Sequence, residues 1–395
     1  MTHILLLAVS ILGLSMSEVL SFQINQFTSM DQKDPAVASL GGKTIVVWNS
    51  YRQDGDSGGI FARCVDPNGP VGQEFQVNST TAGNQAEPAA AVDRQGRLIV
   101  VWRGPWQDLD DQEIVARLFD PNGAPVTDDV HVNAYSQQAQ AYPKVAAGPN
   151  GRFLVVWQSD QGPTSTRPCI LGRLIDGSGQ AVSEELVISD TPNYSTRYPD
   201  VAAGPDGRFA VCWWEDRTTD GVRVRILDQD GNPIGGSVKV NNIGASSLSR
   251  PAIAFLPDGR LAVAWDGDPN RASDDDIRLR ILDPNGRPIG EEVVMNTTTS
   301  GAQQYPRLAV TADGVVLMVW EGPAPNGIEG IKVFGRVLDP SSGPGPEMLV
   351  SDRQGGQRSP VAASIDTGLL IVWEDQQNDG SGSGIFGTIL AGPGR

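Results

Sequence analysis

Side chains that could do chemistry are unevenly spread along this chain. Four short stretches concentrate carboxylates: Asp108, Asp110 and Asp111; Glu215, Asp216 and Asp220; Asp274, Asp275 and Asp276; and Glu374, Asp375 and Asp379. The six tyrosines (Tyr51, Tyr135, Tyr142, Tyr194, Tyr198 and Tyr305) and two tryptophans, Trp106 and Trp214, fall in the same kind of polar segment. Flat aromatic rings offer apolar stacking with a polar tip, and carboxylates exchange hydrogen bonds with hydroxyl groups. That combination suits carbohydrate. The candidate ligand-binding set is Tyr51, Trp106, Tyr135, Tyr194 and Trp214, with Glu215, Asp216, Glu374 and Asp375. Two carboxylates about 5–9.5 Å apart would also support glycoside hydrolysis, but spacing along the sequence does not say which pair, and no catalytic residue is assigned. Calcium takes oxygen ligands, so Asp274, Asp275 and Asp276 form a candidate metal site. The run 228–232 (DQDGN) looks like part of a calcium loop, but it occupies an ordinary turn and lacks a terminal acidic ligand. Two histidines, His3 and His131, leave histidine catalysis little room. Cys64, Cys169 and Cys212 sit within or beside strands and read as buried free thiols, with a disulfide between two of them as the alternative. No other cofactor is implied.

Composition narrows the classes further. The chain has 395 residues, 30 basic against 47 acidic, for a net charge of −17. Nucleic acid is not an expected partner, since phosphate requires a basic face. Residues 4–14 (ILLLAVSILGL) are apolar, too short to span a bilayer, and fit the core of a signal peptide ending near residue 17. No other apolar run approaches membrane length, and the residue after the expected cut is Glu18, not a lipid-bearing cysteine. A secreted protein, extracellular or periplasmic, is expected, with a glycan or a surface protein as partner and a monomeric state.

The elements that must position these residues come from a repeat. Seven tryptophans recur at Trp48, Trp102, Trp157, Trp213, Trp265, Trp320 and Trp373, at intervals of 54, 55, 56, 52, 55 and 53 residues. Pro35, Pro88, Pro143, Pro199, Pro251, Pro306 and Pro360 keep step with them, as do Gly42, Gly96, Gly151, Gly207, Gly259, Gly314 and Gly368. One unit reads as four strands. A short strand opens at Pro143, an Asn-Gly turn leads to 153–157 (FLVVW), a polar loop leads to 170–175 (ILGRLI), and a tight turn leads to a fourth strand. No helical period competes. Four-stranded units at this spacing predict an all-β chain, a seven-bladed β-propeller of antiparallel blades. Length alone suggested two or three domains; the repeat predicts one ring over 18–395, with inner strands opening near 35, 88, 143, 199, 251, 306 and 360.

The last unit lacks its fourth strand. The matching phrase, 75–78 (FQVN) in the first unit, recurs as 22–25 (FQIN) ahead of the first inner strand. The N-terminal strand is therefore expected to complete the seventh blade and close the ring, which removes exposed sheet edges. Arg63, Arg117, Arg173, Arg225, Arg280 and Arg336 recur on third strands, with Thr388 in the seventh unit. Six equivalent arginines cannot serve one asymmetric site, so an ion pair within each blade or stacking on tryptophan is expected.

Loops joining strands one and two, and three and four, are short and stereotyped. Loops joining two and three, and successive blades, are long and varied, so the second face is the candidate functional face. Gln32, Gln85, Gln140, Gln303 and Gln357, each three residues before the proline, would add amides to it. A plainer reading stands beside this one. Tyr142, Tyr198 and Tyr305, each just before a proline, would merely plug the ring mouth, and the acids would keep an exported protein soluble.

The phrase Pro-x-Val-Ala, Gly-Arg-Phe-x-Val-x-Trp, Ile-x-x-Arg-x-x-Asp resembles the degenerate propeller repeats of secreted and surface bacterial proteins. The resemblance covers almost the whole mature chain and implies architecture rather than activity. Sialidases and propeller lectins are similar in shape. The Gly…Trp hairpins lack the Ser and Thr of sialidase Asp-boxes, however, and the face reads as acidic where a sialidase would need an arginine trio. WD-repeat proteins share the tryptophan-ended strand, but the histidine-containing half of their signature is absent. The function expected is an exported module binding glycan or polysaccharide. The alternatives are a glycoside hydrolase or sialidase-like enzyme using paired carboxylates on the same face, and a structural surface protein.

Overall fold

Each repeat forms one four-stranded antiparallel sheet, and seven such sheets make a β-propeller. The computed structural model describes residues 21 to 391, apart from 107–111, 137, 163–165, 217–220, 243–248, 268–274, 325–329, 340–341 and 352. The expected signal segment, 1–17, lies outside the described residues. No helix among the described residues is long and apolar enough to cross a membrane. Blade 3 shows the pattern: Gln140–Ala147, Phe153–Ser159, Cys169–Ile175 and Leu186–Val187, paired in that order. The other inner strands are Gln32–Leu40, Ala86–Val92, Thr196–Ala203, Ala252–Phe255, Gln304–Val310 and Gln357–Ile365.

The ring closes as the FQIN phrase predicts. Phe22–Gln23 pairs with Gly384–Ala391 as the fourth strand of blade 7, Phe22 opposite Gly387 and Gln23 opposite Phe386. Asn25 then latches the joint. Its Oδ1 accepts the Ile385 N–H at 2.8 Å, and its Nδ2 donates to the Phe27 carbonyl at 2.8 Å. Asn78, Asn133, Asn241 and Asn296 accept the equivalent N–H in blades 1, 2, 4 and 5 at 2.7–2.8 Å.

The core is divided among the seven junctions between blades. Each repeated tryptophan lies in a cluster with residues of the preceding blade: Trp157 with Ile99 and Val101, Trp48 with Leu370 and Val372. All seven are at most 1% exposed, which explains why the spacing is so strictly kept. Two of them donate an indole N–H to the glutamine ahead of the proline: Trp157 to Gln140 (2.9 Å) and Trp320 to Gln303 (3.0 Å).

The arginine series joins blades, which corrects the expectation of an ion pair within a blade or tryptophan stacking. Arg117 donates from Nε to the Thr127 carbonyl just ahead of its own fourth strand (3.1 Å) and from Nη1 to the Val77 carbonyl of blade 1 (2.8 Å). Arg63, Arg173, Arg225, Arg280 and Arg336 reach the preceding blade at Ile24, Val132, Ile188, Val240 and Met295 in the same way. A guanidinium fork can serve two carbonyls at once, and a lysine point charge cannot match that geometry. A second staple was not read from the sequence. Carboxylates on fourth strands or just before them, Glu74, Asp129, Glu185 and Glu347, accept backbone N–H groups just past the preceding blade's fourth strand.

The inner strands begin slightly ahead of the prolines in every blade except blade 5, and the proline instead marks a bulge. Register shifts fall at Lys33/Ala36, Ala86/Ala89, Ala141/Lys144, Arg197/Asp200, Gln304/Arg307 and Arg358/Val361. The residue before proline takes positive φ in all six: Asp34 52°, Glu87 56°, Tyr142 53°, Tyr198 53°, Tyr305 57° and Ser359 50°. Non-glycine residues are held there only when their surroundings enforce it, at roughly 1–3 kcal/mol each. The enforcing contacts come from the preceding blade. Glu87 accepts the Tyr142 N–H (2.7 Å), and Glu321 accepts the Ser359 N–H (2.9 Å).

Candidate functional site: the axial mouth

One pre-proline residue from each blade gives a ring of seven: Asp34, Glu87, Tyr142, Tyr198, Arg250, Tyr305 and Ser359. They sit at the ends of inner strands, on the face of the long loops. Blades 3, 4, 5 and 6 bring four of them together. The Arg250 guanidinium carbon lies 5.3 Å from the ring centre of Tyr142, 5.1 Å from that of Tyr198 and 4.9 Å from that of Tyr305. Tyr142 and Tyr198 meet edge to face, with ring centres 4.9 Å apart. Blades 3 and 6 are not neighbours, so a cation touching rings from both must stand over the axis. Each ring–cation contact contributes about 0.5–2 kcal/mol, more as water is excluded.

One layer inward, the residues after the prolines of blades 3, 4 and 6 are Lys144, Asp200 and Arg307. All three are half-buried. Burial, reinforced by the Arg307 charge, pushes the Lys144 ammonium down to about 8. Burial pushes the Asp200 carboxyl up, against the pull of Lys144 and Arg307. Asp200 also accepts the Ile253 N–H at 3.0 Å.

Carboxyls surround the mouth, and several are held toward the neutral form. Burial, then the charge of Asp275, brings Asp266 up to about 7. Burial, then Asp34, brings Glu374 up to about 7. Burial raises Asp34 and Glu321 as well. Glu87 is paired with Arg103 at 3.6 Å and Asp31 with Lys33 at 2.7 Å, and Glu321, though raised, lies 3.8 Å from Arg358. The centre of this face is therefore not the uniformly acidic surface that the sequence suggested: Arg250, Lys144 and Arg307 stand at its middle, and among the described residues Arg250 has no ion pair.

The residues singled out from sequence are dispersed around this centre rather than gathered in one place. Tyr51 (39% exposed) and Tyr194 (37%) are open to solvent on the loop face. Asp216 is exposed and Tyr135 half-buried. Trp106 stacks on His131, ring centres 5.1 Å apart, and His131 in turn meets Glu113 at 2.9 Å. Trp214 is a correction: its ring is 6% exposed and belongs to the blade 4–5 core, so it offers no open platform. Glu215 is 1% exposed; it takes the Thr191 hydroxyl and lies 3.5 Å from Arg223. Asp375 is fully buried and caps its own turn, accepting from the N–H groups of Gln377 and Asn378 at 3.2 Å. The glutamine series is likewise scaffold: Gln32, Gln85, Gln140, Gln303 and Gln357 are at most 1% exposed.

For metal, Asp274 lies outside the described residues. Asp276 accepts from Asn296 Nδ2 at 2.8 Å and faces Arg278 at 3.6 Å. No group of three or more His, Cys, Asp or Glu among the described residues is arranged to hold an ion. Asp228 accepts the N–H groups of Asp230 and Asn232 at 2.9 and 2.8 Å, as a turn cap does. The three cysteines are free thiols; Cys169 and Cys212 are buried and Cys64 is half-buried.

The slot before each proline was the signal available in the sequence. It pointed to Tyr142, Tyr198 and Tyr305, but only as a plug, and it passed over Arg250.

No protein-family model matches the chain, and no curated protein matches it in sequence. Solved structures do share its shape. A polysaccharide lyase, an ulvan lyase bound to -[GlcA(1-4)Rha3S]-, superposes with a TM-score of 0.60 at 10% identity, over 94% of this chain and 96% of that one. An alpha-L-arabinanase from Penicillium chrysogenum complexed with arabinobiose gives 0.52 at 13%, over 78% and 93%. A protein of unknown function from Dyadobacter fermentans gives 0.55 at 12%, over 94% and 98%. At such identities the likeness is one of fold, and by fold this chain is a seven-bladed β-propeller.

Proposed function

We propose that this protein is an exported glycan-binding module that takes a polysaccharide at the axial mouth of its loop face. One observation carries this reading: Tyr142, Tyr198 and Tyr305, from three blades, close around Arg250. Their rings offer flat apolar surfaces and their hydroxyls offer hydrogen bonds, the two things a sugar ring uses. Burial raises the Tyr142 and Tyr305 phenols, so both remain donors at neutral pH. Tyr51 and Tyr194, exposed further out, would touch sugars along the chain. Two of the solved structures of this shape are named as a polysaccharide lyase and an arabinanase bound to arabinobiose, which supports the reading at the level of fold. Secretion fits the same role. The test is affinity electrophoresis against a panel of polysaccharides, with Tyr142→Ala, Tyr198→Ala and Tyr305→Ala. Binding lost in all three variants, with the fold intact, supports the site; binding that survives in all three refutes it.

A catalytic reading on the same face has one observation in its favour. Asp266 and Glu321, on adjacent blades beside Tyr305, are both held toward the protonated form that a general acid requires. Reducing ends or unsaturated products released from a bound polysaccharide, and lost in Asp266→Asn or Glu321→Gln, would favour it over binding alone.

A further inference from the structure

The Arg250 side chain is chemically unfinished. Among the described residues, its guanidinium meets three tyrosine rings and makes no hydrogen bond or ion pair. Five N–H donors at its edge are therefore unclaimed. Arg250 is half-buried, and a charge partly withdrawn from water gains from an anionic partner. The neighbouring polar groups do not fill the gap. The hydroxyls of Tyr142, Tyr198 and Tyr305 have no hydrogen-bonding partner among the described residues, and Lys144 has no ion pair there. Among the described residues Arg307 donates to the carbonyl of Pro306, its chain neighbour, at 2.8 Å. Glu87 is engaged with Arg103 and the Tyr142 N–H, and Glu321 with Arg358 and the Ser359 N–H; Asp34, the acid that feels Arg250 most, is held toward its neutral form by burial.

We infer that the glycan this mouth accepts is acidic, and that its carboxylate or sulfate docks on Arg250 while the sugar ring lies against the tyrosines. The inference rests on the glycan reading above and names its substrate class. A planar guanidinium matches an anionic oxygen pair by two parallel N–H···O bonds, and such charge-assisted bonds are the strong ones. The tyrosine hydroxyls stand ready for the same oxygens or for neighbouring sugar hydroxyls. Lys144 and Arg307 lie beneath with Asp200, and burial holds the nearby acids Asp34, Asp266 and Glu321 toward the neutral form, so the field at the mouth favours an anion over a neutral ring. A neutral sugar would cover Arg250, strip its water and leave its charge without a partner. The pull is local, since the chain as a whole carries a net charge of −17 and would repel a uniformly charged polymer away from this opening.

The experiment is titration calorimetry on the full chain with four probes: an oligogalacturonate, the same oligomer with its carboxyls reduced, dextran and dextran sulfate. Binding of the oligogalacturonate, at least about tenfold tighter than its reduced form and weakened by salt, is the expected result. Arg250→Gln should lose that preference, while Arg152→Gln, on the opposite face, should keep it. Should Arg250→Gln fail to fold, Lys144→Gln and the salt dependence of the parent protein carry the same test. Binding of dextran sulfate without the oligogalacturonate would assign the anion as a sulfate ester and support the shared chemistry. Equal affinity for the charged and reduced oligomers would overturn the inference and leave the glycan reading standing. No binding to any of the four would overturn both.

Discussion

Blade 7 is the one blade completed from the far end of the chain, and Asn25 and Ile24 hold its closing strand in place. Ile24 is fully buried in a cluster with Trp48, Phe61, Leu370 and Ile385. Truncating a side chain of this kind costs about 2–5 kcal/mol, from lost transfer energy and the cavity left behind. Asn25→Ala removes the acceptor of the Ile385 N–H, and Ile385 is fully buried, so the N–H is left without a partner. That costs about 1–3 kcal/mol. Adjacent residues need not add, but together they approach the whole stability of an ordinary domain, about 5–15 kcal/mol. Asn78→Ala is the internal control. It removes the same 2.8 Å bond, to Ile60, in a blade whose third and fourth strands follow one another along the chain. The assay is urea denaturation together with amide exchange at Ile385 and Ile60. Asn25→Ala should speed exchange at Ile385 more than Asn78→Ala speeds it at Ile60, because opening the closing strand frees a whole sheet edge. Removing residues 21–25 should unfold the ring or make it aggregate. Unchanged exchange at Ile385 in Asn25→Ala, or a truncated chain as stable as its parent, would refute the closure.

Stability should also respond to pH in an unusual direction. Asp266 and Glu374 are buried, and burial raises both to about 7, above their unfolded values near 4. Between about pH 4 and 7 the folded chain holds protons that the unfolded chain has lost, so their contribution is full at the acid end and is lost as pH rises through 7. The melting temperature should therefore be higher at pH 5 than at pH 7.5, and Asp266→Asn should flatten that slope; a melting temperature rising over this window would contradict it. Millimolar calcium should leave the melting temperature unmoved, since Asp276 is committed to Asn296 and Arg278. A rise of several degrees, reversed by chelator, would establish a site at 274–276.

Architecture was legible because the propeller writes its constraints seven times. The tryptophan cannot drift when each copy fills one inter-blade core, and the closing strand repeats the FQVN phrase because Asn25 makes the bond that Asn78 makes. What each repeated polar residue does was harder to read. Arginine on a third strand reads as an ion pair when the aspartate three residues on is the only visible partner. Its true partner, the carbonyl of Val77 for Arg117, is a backbone atom on another blade and leaves no trace in side-chain spacing. Gln140 read as a surface amide for the same reason, because its indole partner lies seventeen residues ahead.

Repetition itself separates scaffold from site. A residue type kept at one slot in five or six blades serves every blade alike, as the glutamines and arginines do, and a ring of identical groups has no preferred direction in which to recognise a ligand. A slot whose geometry is fixed but whose residue varies is different. The position before proline holds Asp, Glu, Tyr, Tyr, Arg, Tyr and Ser in turn. Six of these seven positions share one strained backbone conformation, with φ between 50° and 57°. The scaffold thus carries the same strain in each of those blades while the side chain it presents at the mouth changes. Uniform strain with non-uniform chemistry is hard to explain as packing, because packing would select one side chain for one shape. It is what a symmetric ring requires in order to build one asymmetric site, and Arg250 with its three tyrosines is where that asymmetry is greatest.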